Sequence, residues 1–120
     1  MNMGYESKLY IVNKFDIYDD GMKYGQVIAT FDLCNVGSVA RKIAKYPNTD
    51  AYIYADDGNT RITKDLYGEP FKEIPIADMI EILERESEAD HYRRYRPCIQ
   101  LLKGFDASEW DDLVVLHYGH

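Results

Sequence analysis

Cysteine is scarce in this chain: Cys34 and Cys98 are the only two among 120 residues. They stand far apart and neither belongs to a CxxC pair. That excludes a disulfide scaffold, which a chain of this length does not need. Both are expected to be reduced and buried. No apolar run approaches the roughly 18 residues of a membrane-spanning helix. The start, Met1-Asn2-Met3-Gly4-Tyr5-Glu6-Ser7-Lys8, has no apolar core after a basic stretch, so it does not read as a signal peptide. Gly4 is not where a myristoylation signal places its glycine. These absences predict a cytoplasmic protein without membrane contact. The eight glycines never form GxGxxG or the GxxxxGK[ST] loop, which excludes the signature phosphate cradles. Asp56-Asp57-Gly58-Asn59-Thr60 is acid-rich but lacks the remaining ligands and the terminal glutamate of an EF-hand, so a hairpin turn is the expected reading.

What is present is the composition of a globular protein, 46% hydrophobic and 29% charged, which argues against disorder. Aromatics reach 13%, and eleven of them are tyrosine. Tyrosine suits half-buried strand faces and also interfaces, and strand faces are the expected use here. The net charge is −7. Residues 1–50 balance six acids with six bases, and residues 91–120 balance four with four. Residues 51–90 hold eleven acids against four bases, so the whole excess sits there. Such a protein is repelled by phosphates, which disfavours direct DNA or RNA binding, and an acidic patch suits a basic groove on a partner protein.

Residues Tyr5 to Phe15 alternate apolar and polar positions and read as a strand. Lys23 to Leu33 reads as its antiparallel partner, with a loop around 17–22 containing Asp19-Asp20-Gly21. Val36 to Tyr46 is spaced as a helix, with Val36, Val39, Ala40 and Ile43 on one face, Asn35 or Ser38 as cap and Pro47 as stop. Asp50–Ala55 is a strand, Asp56–Asn59 a turn, and Thr60–Thr63 the return strand. Lys64–Ile74 reads as mixed loop or short strand. A helix follows from Pro75, with Ile76, Met79, Ile80 and Leu83 as its buried stripe. Another is expected from about Arg96, with Ile99, Leu102 and Cys98 inward, ending at Gly104. Asp106 and Glu109 are spaced as a capping pair. Leu113–Leu116 reads as a central strand buried on both faces, or as one pairing across a dimer. The fold class is therefore α+β in one domain, a mostly antiparallel sheet with two or three helices in the order β-β-α-β-β-α-α-β.

No constellation carries chemistry by its spacing. His91, Cys98, Cys34, His117 and His120 are zinc-ligating types, but none is paired at short ligand spacing except His117 with His120. A zinc-stabilised module through His91, Cys98, Cys34 or His117 is one alternative. Cys34 lies between a strand and a helix without a histidine near it in sequence, so an inert thiol is expected. Paired carboxylates from Asp56, Asp57 and Glu69 give a second alternative, a metal-dependent hydrolase or nuclease. The strongest feature is the helix after Pro75. Glu81, Glu84 and Glu88 line up on one face with Asp78 beside them, and such a row imitates phosphates. The ordinary reading is a solvated helix face, and Arg93, Arg94 and Arg96 stand just beyond it.

The stretch Met3-Gly4-Tyr5-Glu6-Ser7-Lys8-Leu9-Tyr10-Ile11-Val12 resembles the start shared by a group of small, largely uncharacterised proteins of phages and prophages of Gram-positive bacteria. Val27-Ile28-Ala29-Thr30-Phe31-Asp32-Leu33-Cys34 and Asp65-Leu66-Tyr67-Gly68-Glu69-Pro70 are similar to it as well. The resemblance brings no catalytic residue and no cofactor. It implies a phage-derived protein acting by stoichiometric binding to a host enzyme in the bacterial cytoplasm. Anti-CRISPR proteins against type II effector nucleases are the best-known class. The expected contact is acidic: Asp56 and Asp57 of the turn, and Asp78, Glu81, Glu84 and Glu88 of the helix. The expected partner is a nucleic-acid-handling enzyme with a basic groove.

Overall fold

Alternating β-branched and aromatic residues open the chain as a long hairpin. The computed structural model describes residues 6–19, 21–34, 37–110 and 112–120, with backbone alone over 16–19. The Met3–Tyr5 start, Asp20, the Asn35 cap and Val36 lie outside the described residues. Strand β1 (Ser7–Asp19) pairs antiparallel with β2 (Met22–Asp32). A register shift between Ile11 and Val12 places Ile28 as an extra residue, a bulge that turns the following side chains over. Leu9 and Ile11 face one core and Val12 the other by ordinary alternation, while the bulge lets Ile28 and Ala29 share the first core and leaves Val27 on the second.

Helix α1 (Gly37–Ile43) buries Val39 and Ile43. It stops short of the expected Tyr46 because the residue before Pro47 is driven out of the helical region. The Tyr46 amide closes a final turn onto Ile43 O at 3.0 Å. Strand β3 (Ala51–Tyr54) returns parallel to β2, with Lys23 opposite Ala51 and Tyr24 opposite Tyr52. Gly25 permits this approach: a Cβ there would meet the Tyr52 carbonyl oxygen at 3.0 Å. The turn at 56–59 has Gly58 at φ +73°, and a two-residue β4 (Arg61–Ile62) completes the hairpin.

The segment read as mixed loop or short strand contains a further strand, β5 (Lys72–Pro75). Pro75 ends it and stands as N-cap of helix α2 (Ile76–Ala89). Helix α3 (Tyr95–Asp106) starts one residue before Arg96, with Pro97 in its first turn, where a missing N–H costs no bond. It runs through Gly104 to Asp106, so Gly104 is not its stop and Asp106 begins no new turn. Strand β6 (Leu113–Gly119) completes the sheet.

The strand order is β4-β3-β2-β1-β6-β5, mostly antiparallel. The fold is α+β, with one strand more than expected. Strand β6 is central: β1 and β5 flank it, so both of its edges are used within the chain. All three helices cover one face, contributing Val39, Ile80, Leu83, Tyr95, Cys98 and Leu102 to a core with Leu9, Ile11, Ile74 and Val115. On the other face Val12, Ile53, Phe71 and Leu116 are buried beneath Tyr10, Val27, Val114 and Tyr118. The Leu113–Leu116 run is continuous because its alternate residues serve these two cores.

Candidate functional site

Helix α2 exists because Ile76, Met79, Ile80 and Leu83 recur at helical spacing and are buried together. At about 100° per residue, Glu81, Glu84 and Glu88 fall within roughly 60° of one another on the opposite side. All three are exposed and Asp78 is half-buried. Asp78 Oδ2 accepts from the Tyr46 hydroxyl at 3.0 Å. Glu81 pairs with Arg85 at 2.6 Å, and Glu84 with Lys103 of α3 at 3.1 Å. Glu88 has no ion pair among the described residues. Two grooves flank the helix. One, of about 400 Å³, runs between α2 and α3 and is lined by Glu84, Glu88, Arg96, Ile99, Gln100 and Lys103. The other, of about 180 Å³, is lined by Lys45, Tyr46, Asp78, Glu81, Ile82 and Arg85.

The charge on α2 opposes the helix itself. Its last turn carries Glu86 and Glu88 and no base. The C-terminal end of a helix is its negative pole, where each carboxylate costs about 0.3–1 kcal/mol. Departures from local preference of this kind concentrate at working surfaces.

The other acidic feature is a turn that serves its own geometry. Asp57 accepts from the amides of Asn59 and Thr60, both at 2.8 Å, and from the Thr60 hydroxyl at 2.6 Å. The Thr60 hydroxyl first, then the two amides, hold the Asp57 carboxyl below the usual range. Asp56 is exposed beside it. The turn joins β3 to β4 at one edge of the sheet, whereas α2 packs on β5 and β6 at the other. Strand spacing separates the two by roughly 20 Å. The structure thus keeps Asp78, Glu81, Glu84 and Glu88 on one helix and leaves Asp56 and Asp57 apart from them.

No protein family matches this chain, and no curated protein or solved structure does either.

Other reactive groups are arranged for structure. Ser7 Oγ and His117 Nε2 lie 2.8 Å apart, the spacing of a nucleophile and its base. Both are buried, Ser7 completely, which seals the hydroxyl from any substrate. Burial pushes the His117 imidazole down to about 4, against the upward pull of Asp65. Asp65 accepts from the amides of Tyr67, Glu69 and Gly119 at 2.9, 3.0 and 3.2 Å, pinning the loop before β5 to β6. Burial pushes the Cys98 thiol up to about 12, so it stays protonated beneath α3. Cys34 is free and half-buried, not fully buried as expected. Burial and the nearby Asp32 charge raise its thiol.

The zinc set read from the sequence is not assembled. Among the described residues, Glu6, Asp32 and His120 form the group whose ligand atoms lie within 4.8 Å of one another, and Cys34, His91, Cys98 and His117 are not in it. Glu6 and Asp32 carried no signal in the sequence because strand register, not spacing, brings them to His120. Lys103 carried no signal as a groove residue for a related reason, and Arg96 stood out only as part of the basic cluster beyond the helix. Their place opposite Glu84 and Glu88 depends on how α3 folds back along α2.

No described helix is long and apolar enough to cross a membrane.

Proposed function

We propose that the protein works by stoichiometric binding, presenting the outer face of α2 to a basic groove on a nucleic-acid-handling enzyme. The resemblance at the start of the chain makes the specific form a phage-derived, anti-CRISPR inhibitor of a type II effector nuclease. The observation that carries the reading is the row Glu81, Glu84 and Glu88, exposed on one face of α2 and ending in Glu88, which stands in a last turn whose dipole disfavours acid. Carboxylates three and four residues apart stand about 5–6 Å from their neighbours, a spacing at which Lys and Arg side chains built for phosphates engage them. Occupying the groove would exclude nucleic acid without any chemistry. The Asp56–Asp57 turn lies too far along the sheet to share that contact and is at most a second one.

The experiment is inhibition of DNA cleavage by a guide-loaded type II nuclease, with the protein added to one equivalent. Loss of cleavage at that ratio supports the reading, with inhibition weakening as salt rises. The triple variant Glu81→Lys, Glu84→Lys, Glu88→Lys should stay folded and lose inhibition. Inhibition undiminished in that variant would remove α2 from the mechanism. Capture of no basic, nucleic-acid-handling protein from a nuclease-bearing bacterial lysate would overturn the reading as a whole.

A further inference from the structure

We propose that Glu6, Asp32 and His120 form a divalent-cation site, best suited to Zn²⁺. The three come from neighbouring strands. Glu6 precedes β1, Asp32 ends β2, and His120 follows β6. The Glu6 amide donates to His120 O at 2.8 Å, and the His120 amide returns a bond to Glu6 O at 3.0 Å, which fixes the two residues opposite each other. Lys8 faces both Asp32 and Tyr118 across its two ladders. Side chains two residues apart share a face, so Glu6, Asp32 and His120 all emerge on the side away from the helices.

Two observations point to a cation there. The side chain of His120 is 26% exposed, but its Nε2 atom is covered and makes no well-formed hydrogen bond, its nearest partner being Asp32 Oδ2 at an ion-pair distance of 3.4 Å. Two ligands bound at about 2.1 Å in tetrahedral geometry lie about 3.4 Å apart. The second concerns charge. Apart from His120 itself, the nearby bases do not answer the two carboxylates: Lys8 places its ammonium over the Tyr10 ring, 5.3 Å from the centroid, and Arg94 donates to the Asp32 backbone carbonyl at 3.0 Å. Asp32 Oδ1 is held by the Cys34 amide at 2.9 Å, which leaves Oδ2 turned toward His120. An imidazole with two carboxylates favours Zn²⁺ over Mg²⁺ or Ca²⁺, which prefer all-oxygen shells. A bound ion would clamp the ends of β2, β1 and β6 together and leave a fourth position for solvent.

The test is calorimetric titration of the tag-free, EDTA-stripped full chain with ZnCl₂, and with MgCl₂ in parallel. One equivalent of Zn²⁺ should bind, Mg²⁺ should not compete, and Zn²⁺ should raise the unfolding temperature. His120→Gln, Asp32→Asn and the near-isosteric Glu6→Gln should each weaken binding at least about tenfold, with unchanged circular dichroism. The Cys98→Ser and His91→Ala variants should bind as the parent does. Absence of saturable Zn²⁺ binding would overturn the site. So would affinity that survives all three ligand variants, or affinity that vanishes with Cys98 or His91. None of these residues lies on α2, so the outcome is independent of the inhibition assay.

Discussion

His117 is neutral inside the fold and charged at mildly acid pH once the chain unfolds. Burial holds it at about 4, below the ordinary 6.5. Between those values the unfolded chain binds the extra proton, so falling pH favours unfolding. Its contribution to stability is complete above about pH 6.5 and is lost down to about pH 4, a loss on the order of 3 kcal/mol. Urea denaturation of the parent at pH 7, 6, 5 and 4 should show that decline, and His117→Asn should flatten it. Lys14 presents the opposite case. Its ammonium meets Asp50 at 2.6 Å and Glu73 at 2.9 Å, and Thr49 donates to the same Glu73 oxygen at 2.7 Å. Burial would lower the Lys14 pKa, but its bonds to Asp50 and Glu73 outweigh that and raise it. Lys14→Met should cost about 1–3 kcal/mol because it strands Glu73 in a half-buried position, and adding Glu73→Gln should recover part of that loss. A double-mutant cycle by chemical denaturation measures the coupling. None of these partnerships was legible in the sequence: Lys14 and Glu73 are far apart in the chain and meet through the pairing of β1, β6 and β5.

At the scale of elements, the acid at the end of α2 gives a prediction in which stability and binding move in opposite directions. Glu88→Lys removes a carboxylate from the negative pole and sets an ammonium one turn after Glu84. It should stabilise the fold by about 0.5–1 kcal/mol and weaken the proposed inhibition. Thermal unfolding and the cleavage assay on the same sample check both. A face that serves only as solvated surface would show the gain without the loss. Gly25→Ala should cost about 1–2 kcal/mol, since the Tyr52 carbonyl leaves no room for a Cβ and β3 must shift. The elements themselves were largely readable. The stripe Ile76, Met79, Ile80 and Leu83 was read correctly because helical periodicity is a local signal. Strand β5 stands in the sequence only as an open reading, mixed loop or short strand, because four residues ending in proline carry too little alternation to separate them from a loop. Its pairing with β6 makes it a strand.

For the whole molecule, strand order decides what the sequence could not. The excess charge of residues 51–90 reads as one acidic region along the chain, and the sheet divides it between opposite edges. The same order settles β6 as a central strand, a position its apolar run allowed but did not specify. The two outermost strands are short, but β2 also keeps an open edge beyond Lys23 and Tyr24, the residues that β3 pairs. Strand β4 has two residues and β5 has four, ending at Pro75. That central strand also governs how the molecule forms. Ser7 pairs with Gly119 across more than a hundred residues. Until Leu113–Gly119 arrives, the β1 edge over Ser7–Asn13 stays open, and β5 touches only the segment Pro47–Thr49. The middle of the sheet is therefore the last part to close. A growing chain on the ribosome must carry its β1–β2 hairpin half-paired until Leu113–Gly119 has emerged.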